Sequence, residues 1–208
     1  MSDNGRILIV YGTRYGQTAK IAEWMGRALR ERGYVVTVAD AASVPHDLSV
    51  QQADGVIVGG SVIVGRHQAS VRRFISQHLA ELHDRPSGFF SVSGSAGSAI
   101  ESVRAEARVA VDRLLASLGW RPTRIAMIGG AMAYSRYGPV LRWVMRRIAR
   151  KKGESDTDRD HEYTDWHQVA QFAESIATAV AERRGVGRRT AADPTPNLGM
   201  DPRATAGR

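Results

Sequence analysis

The residues Thr13-Arg14-Tyr15-Gly16-Gln17-Thr18, near the start of the 208-residue chain, are of the types that grip a phosphate monoester. Such a group binds where several hydrogen-bond donors converge from one side. A tight, hydroxyl-rich turn opening into a helix offers backbone N–H groups, the positive end of the helix dipole and the hydroxyls of Thr13 and Thr18. Gly16 allows close backbone approach. The turn carries neither G-x-G-x-x-G nor G-x-x-x-x-G-K-S/T, so it is not one of the usual nucleotide fingerprints. On residue types alone, an ordinary strand-to-helix turn with a capping threonine stays open beside the phosphate reading.

Other chemistry is harder to place. The chain has no cysteine, which removes disulfides, thiolate metal sites and cysteine nucleophiles. His161 and His167 do not have ligand spacing, and no H-x-x-x-H or H-E-x-x-H occurs, so no metal site is expected. There is no G-x-S-x-G elbow and no defensible pair of carboxylates.

The elements that must position the loop alternate. Arg6 to Tyr11 (RILIVY) reads as a strand buried on both faces, and Gln17 to Arg32 as a helix with Gly33 at its end. Tyr34 to Ala39, Gly55 to Gly60, Gly88 to Val92 and Arg124 to Ile128 are four further strands. Helices are predicted at Ala69 to Leu82, Ser98 to Leu118 and Asp165 to Arg183, the last with Thr164 as its N-cap. Five short apolar strands alternating with helices predict an α/β fold, a doubly wound parallel sheet with helices on both faces. Ligands in such sheets sit beyond the carboxyl ends of the strands, so the loops after strands one, three and four are the places to look.

Thr-x-x-Gly-x-Thr after the first of five such strands is the flavodoxin pattern, and from Arg6 to about Val180 the resemblance is closer still. The chain resembles the menaquinone-dependent protoporphyrinogen oxidase family, FMN proteins of the flavodoxin-like fold. The matching stretches are Thr13 to Thr18, Pro86 to Val92, Trp120-Arg121-Pro122, Gly129 to Tyr137, Gly153 to Asp158 and Tyr163 to Ala170. Plain flavodoxins lack the insertion and the Tyr163-Thr164-Asp165-Trp166 segment.

The resemblance implies that Thr13, Arg14, Tyr15, Gly16, Gln17 and Thr18 hold the FMN phosphate. It implies that Ser61, Val62, Ile63, Val64 and Gly65, with Ser93, Gly94, Ser95, Ala96 and Gly97, flank the isoalloxazine. The activity implied is hydride transfer from protoporphyrinogen IX to the flavin, which a membrane quinone reoxidises, in haem synthesis. The flavin carries that chemistry, so a sequence without a catalytic constellation is consistent with it. Two departures stand out. Val62, Ile63 and Val64 occupy the loop where the family carries an aromatic, leaving Tyr15 or Tyr134 to supply a ring. Ser93 to Ser98 lacks the basic, proline-containing loop of the enterobacterial members. Arg66 and Arg136 are the candidates for the substrate's propionates, since arginine matches a carboxylate bidentately.

The chain divides into a domain over 1–184, with a helical insertion at 132–162, and a tail over 185–208 whose composition reads as disordered and basic. Pro139 to Lys152 (PVLRWVMRRIARKK) forms an amphipathic, basic helix on paper, and with a net charge of +8 it suits an anionic membrane surface. Trp143, Arg146 and Arg150 would make that contact; docking of the helix on its own domain is the alternative. No apolar run is long enough to cross a bilayer and the N-terminus does not read as a secretory signal. The expected location is the cytoplasm, with peripheral attachment to the cytoplasmic face of the cell membrane open. Three rivals remain: a one-electron flavodoxin carrier, a nicotinamide-fed quinone reductase, and a nucleic-acid binder. Carrier flavodoxins are typically acidic, no Rossmann unit is visible, and no nucleic-acid module is recognisable, so no specific nucleic-acid partner is expected. Oligomeric state is not legible.

Overall fold

The computed structural model describes residues 4–132 and 161–192. In chain order the elements are β1 (Arg6–Gly12), α1 (Gln17–Glu31), β2 (Val35–Asp40), β3 (Gly55–Ile63), β4 (Arg66–His67), α2 (Ala69–Gln77) and α3 (Leu79–His83). They continue with β5 (Ser87–Ser93), α4 (Glu101–Leu118), β6 (Arg124–Gly129), β7 (Ala131–Met132), β8 (His161–Glu162) and α5 (Trp166–Ala192).

The sheet order is β2-β1-β3-β5-β6, every neighbour parallel, with β4 added antiparallel to β3. This is the expected flavodoxin-like order, and its direction reverses between β1 and β3, the switch point where ligands bind. The branched residues of β1 are buried on both faces and sort by alternation. Ile7 and Ile9 join Ile21, Met25, Phe172 and Ile176 under α1 and α5. Leu8 and Val10 join Val71, Phe74, Val111 and Leu114 under α2 and α4. Full burial of such side chains is worth roughly 1.5–3 kcal/mol each, and this double burial fixes β1 and hence the loop that leaves it.

Several expectations need correction. The third strand does not end at Gly60 but runs to Ile63, because Val62 and Ile63 pair with His67 and Arg66. The helix expected over Ala69 to Leu82 is two helices, interrupted at His78. The fourth helix starts at Glu101, after a 3-10 turn at Ser95–Gly97. Thr164 does not cap the last helix: the Asp165 carboxylate accepts from the N–H groups of His167 (2.9 Å) and Gln168 (3.2 Å) and takes that role. α5 continues to Ala192, so residues 185–192 of the expected tail are helical, while 193–208 lie outside the described residues. The insertion over 133–160 also lies outside them, but its two ends meet: β7 and β8 pair antiparallel, Ala131 opposite Glu162 and Met132 opposite His161.

Candidate functional site

At the carboxyl ends of β1, β3 and β5 lies a cleft of about 580 Å³ of open space. Its lining comes from the turn after β1 (Thr13, Tyr15, Gln17, Thr18), the end of β3 and its turn (Ser61, Val62, Ile63, Val64), and the end of β5 (Val92, Ser93, Gly94). Gly130 and Ala131, just after β6, complete it.

The turn after β1 is built to leave donors open. Gly16 sits at the N-cap of α1 with φ 94°, a left-handed conformation that glycine adopts without strain, and no side chain caps the helix. The Gly16 N–H donates to Thr13 Oγ1 (3.0 Å), closing the turn while the Thr13 hydroxyl keeps its own proton to give. Thr18, in the first turn of α1, is fully buried, yet its Oγ1 has no hydrogen-bond partner. Buried hydroxyls without partners are rare, and this one sits in the wall of a cleft at an open helix N-terminus, where an anion is favoured.

The second wall is a β-hairpin. Val64 (φ 49°) and Gly65 (φ 70°) form the two-residue turn between the paired Ile63 and Arg66. Two positive φ values at a two-residue hairpin turn are the type I′ signature, normally filled by Asn-Gly. A β-branched residue there is strained, and Val64 is 76% exposed at the rim. The hairpin is braced from behind. Gln68 Nε2 donates to Ser61 Oγ. His67 is buried, 3.0 Å from Ser91 Oγ through Nε2, and its ring packs on Phe89. Burial pulls the His67 imidazole down to about 4, with Arg72 acting in the same direction, so the ring is neutral near pH 7.

The third wall is tied to the base of the insertion. Ser93 Oγ accepts from the Ala96 N–H (3.1 Å), and the Gly130 N–H donates to the Ser93 carbonyl (3.0 Å). The Tyr163 N–H donates to the Gly130 carbonyl (3.0 Å). A Cβ on Gly129 would overlap the Tyr163 carbonyl, so only glycine permits this approach. Thr164 donates its hydroxyl proton to the Gly129 carbonyl (2.7 Å) and accepts from Gln17 Nε2 (2.8 Å). The phosphate-type turn and the return leg of the insertion are thus joined directly.

The flavodoxin domain family matches residues 8–160. Protoporphyrinogen IX dehydrogenase (quinone) from Escherichia coli strain K12 is 34% identical over 173 residues, covering 83% of this chain and 94% of the relative. The protein of the same name from Leishmania major is 30% identical over 179 residues, 85% of this chain and 76% of the relative. This chain belongs to the flavodoxin-like protoporphyrinogen IX dehydrogenase family. It is an oxidoreductase with a flavin cofactor. An archaeal flavodoxin of known structure aligns with a TM-score of 0.47 at 17% identity, covering 86% of this chain and 97% of its own.

Within this dehydrogenase-family cleft, ten of the residues singled out from sequence line one space: Thr13, Tyr15, Gln17, Thr18, Ser61, Val62, Ile63, Val64, Ser93 and Gly94. Arg14, Gly16, Gly65, Ser95, Ala96 and Gly97 lie in the same loops without lining it. The aliphatic trio faces the cleft as read, and Tyr15 is the aromatic on its described wall. Arg66 is exposed at the start of β4, outside the lining. Arg136, Tyr134, Trp143, Arg146 and Arg150 lie outside the described residues. Val92, Gly130 and Ala131 were missed, although the rule that ligands sit at strand carboxyl ends applies equally to the last strand. No described helix is long and apolar enough to cross a membrane.

Proposed function

We propose that this protein holds FMN in the cleft and oxidises protoporphyrinogen IX to protoporphyrin IX with a membrane quinone as acceptor, a step of haem synthesis. The observation that carries the cofactor assignment is the buried, unpartnered Thr18 Oγ1 at the uncapped start of α1. A phosphate monoester fits it: the hydroxyls of Thr18 and Thr13 donate, and the helix N-terminus favours the charge.

Each wall then has a task. Ser61 to Val64 and Ser93–Gly94 flank the ring system, with Gly65 and Ser95 to Gly97 shaping the two turns behind them. Val62, Ile63 and Val92 exclude water from it, and Tyr15 supplies an aromatic face. Bound there, the isoalloxazine supplies the hydride acceptor that the side chains lack. Arg66, exposed on the hairpin beside the cleft, pairs with a substrate propionate, as does Arg136. The names of the two curated relatives, at 34% and 30% identity, support porphyrinogen as donor and quinone as acceptor.

The test is anaerobic turnover: FMN-loaded protein, protoporphyrinogen IX and a menaquinone analogue should yield porphyrin fluorescence, and the gene should restore growth of a haem auxotroph. Protein that reduces carrier proteins and ignores porphyrinogen would establish the electron-carrier reading instead. Peripheral attachment through Trp143, Arg146 and Arg150 is part of the proposal. It calls for salt-sensitive binding to anionic vesicles that Arg146→Glu with Arg150→Glu abolishes.

A further inference from the structure

We propose that Thr164 is a positioning residue for the phosphate end of the cleft, acting through Gln17. The inference rests on the reading of that cleft as a flavin phosphate site, and it concerns a residue 147 positions away in sequence that does not line the cleft.

The argument is one of donors and acceptors. The Thr164 hydroxyl has one proton, and the Gly129 carbonyl, 2.7 Å away, has none to offer. The proton therefore goes to Gly129, and towards Gln17 the Thr164 oxygen can only accept. This fixes the Gln17 carboxamide with its NH2 group facing Thr164 (2.8 Å) and forbids the flipped orientation. Gln17 is the first residue of α1, lines the cleft, and is joined to Thr18, whose hydroxyl is the buried orphan. Side-chain capping of the α1 N-terminus is absent, so this relay is a tether on that first turn. The anchor is firm: the Gly129 carbonyl belongs to the last residue of β6, and Asp165, next to Thr164, is held at the start of α5.

A residue that holds the first turn of α1 should matter to the phosphate and not to the ring. Thr164→Val keeps shape and removes both hydrogen bonds; Thr164→Ser keeps them. The probes are FMN and riboflavin, which differ only in the phosphate, titrated by quenching of flavin fluorescence. Loss of one neutral hydrogen bond predicts FMN binding weakened about threefold to tenfold in Thr164→Val, with riboflavin binding unchanged and Thr164→Ser close to wild type. Gln17→Met should lose at least as much, and the double variant no more than Gln17→Met alone, because the threonine acts through the glutamine. Should Thr164→Val not fold, Thr164→Ala, which removes the same two hydrogen bonds with less bulk, decides by the same ratio of affinities. Unchanged FMN affinity, or equal weakening of FMN and riboflavin, overturns the proposal. Failure of wild type to prefer FMN over riboflavin overturns instead the phosphate-site reading on which it rests.

Discussion

Replacing Thr18 by valine should move two measurements in opposite directions. The change swaps a hydroxyl for a methyl group at nearly constant shape, between two β-branched residues of similar helix propensity. Thr18 is fully buried and its Oγ1 is without a partner. Burying a hydroxyl that way costs roughly 1–3 kcal/mol, and valine lifts that penalty from the flavin-free fold. In a domain of this size each kcal/mol moves Tm by roughly 2–4 °C, so flavin-free Thr18→Val should melt a few degrees above wild type. Binding should go the other way. A hydrogen bond to a charged group is worth roughly 1.5–3 kcal/mol, which corresponds to FMN affinity lower by roughly 10- to 150-fold. Calorimetry on stripped protein gives the first quantity, and flavin fluorescence quenching the second. A variant that melts below wild type, or one that binds FMN as tightly, would refute the reasoning: the first would mean that the hydroxyl has a structural partner, the second that it never meets the phosphate.

Three further outcomes follow from the walls of the cleft. His67 titrates near 4 in the fold against roughly 6.5 unfolded, so between those values the unfolded chain takes up a proton that the folded chain refuses. Stability is therefore full above pH 6.5 and falls as pH drops towards 4; urea unfolding should show wild type losing about 2 kcal/mol between pH 7.5 and 5 relative to His67→Gln. Val64→Asn puts the preferred residue at a positive-φ turn position and should raise unfolding free energy by about 1 kcal/mol, measured by the same titration. Gly129→Ala drives a methyl group into the Tyr163 carbonyl, a backbone atom that cannot swing aside. It should cost at least ~2 kcal/mol and weaken FMN binding, whereas an unchanged melting curve would show that the stem of the insertion does not press on β6.

The strands were legible because double burial writes itself as runs of Ile and Val, and Arg6 to Tyr11 matched β1 to within a residue. The hairpin after β3 was hidden by its own strain: Val64 in a left-handed turn looks like a continuing strand, and the Asn-Gly that would announce a type I′ turn is absent. Thr164 and Asp165 are both capping types, and the choice between them is tertiary, since the Gly129 carbonyl claims the threonine and leaves the aspartate to α5. Gly185 and Gly187 read as the end of a helix, yet a glycine only weakens helix, by about 1 kcal/mol against alanine, and α5 runs through both.

The cleft divides along the same line. Its phosphate-type turn is six contiguous residues, so local chemistry suffices to find it. The wall made by Gly130 and Ala131 depends on how the insertion leaves and rejoins the sheet, which no window of sequence contains. The segment Tyr163-Thr164-Asp165-Trp166 marks that junction, and each of its four residues has a different contact. Tyr163 passes against Gly97 and Gly129 and bonds to Gly130. Thr164 reaches Gln17, and Asp165 caps α5. Trp166 packs on Trp24 at 5.6 Å between ring centres, with the Lys20 ammonium 5.2 Å over its ring. Three of these four contacts end on cleft walls or on α1. The segment therefore works as a clamp between the base of the insertion and α1, and a substitution of Tyr163 or Thr164 should be felt at the cleft before it is felt in the core.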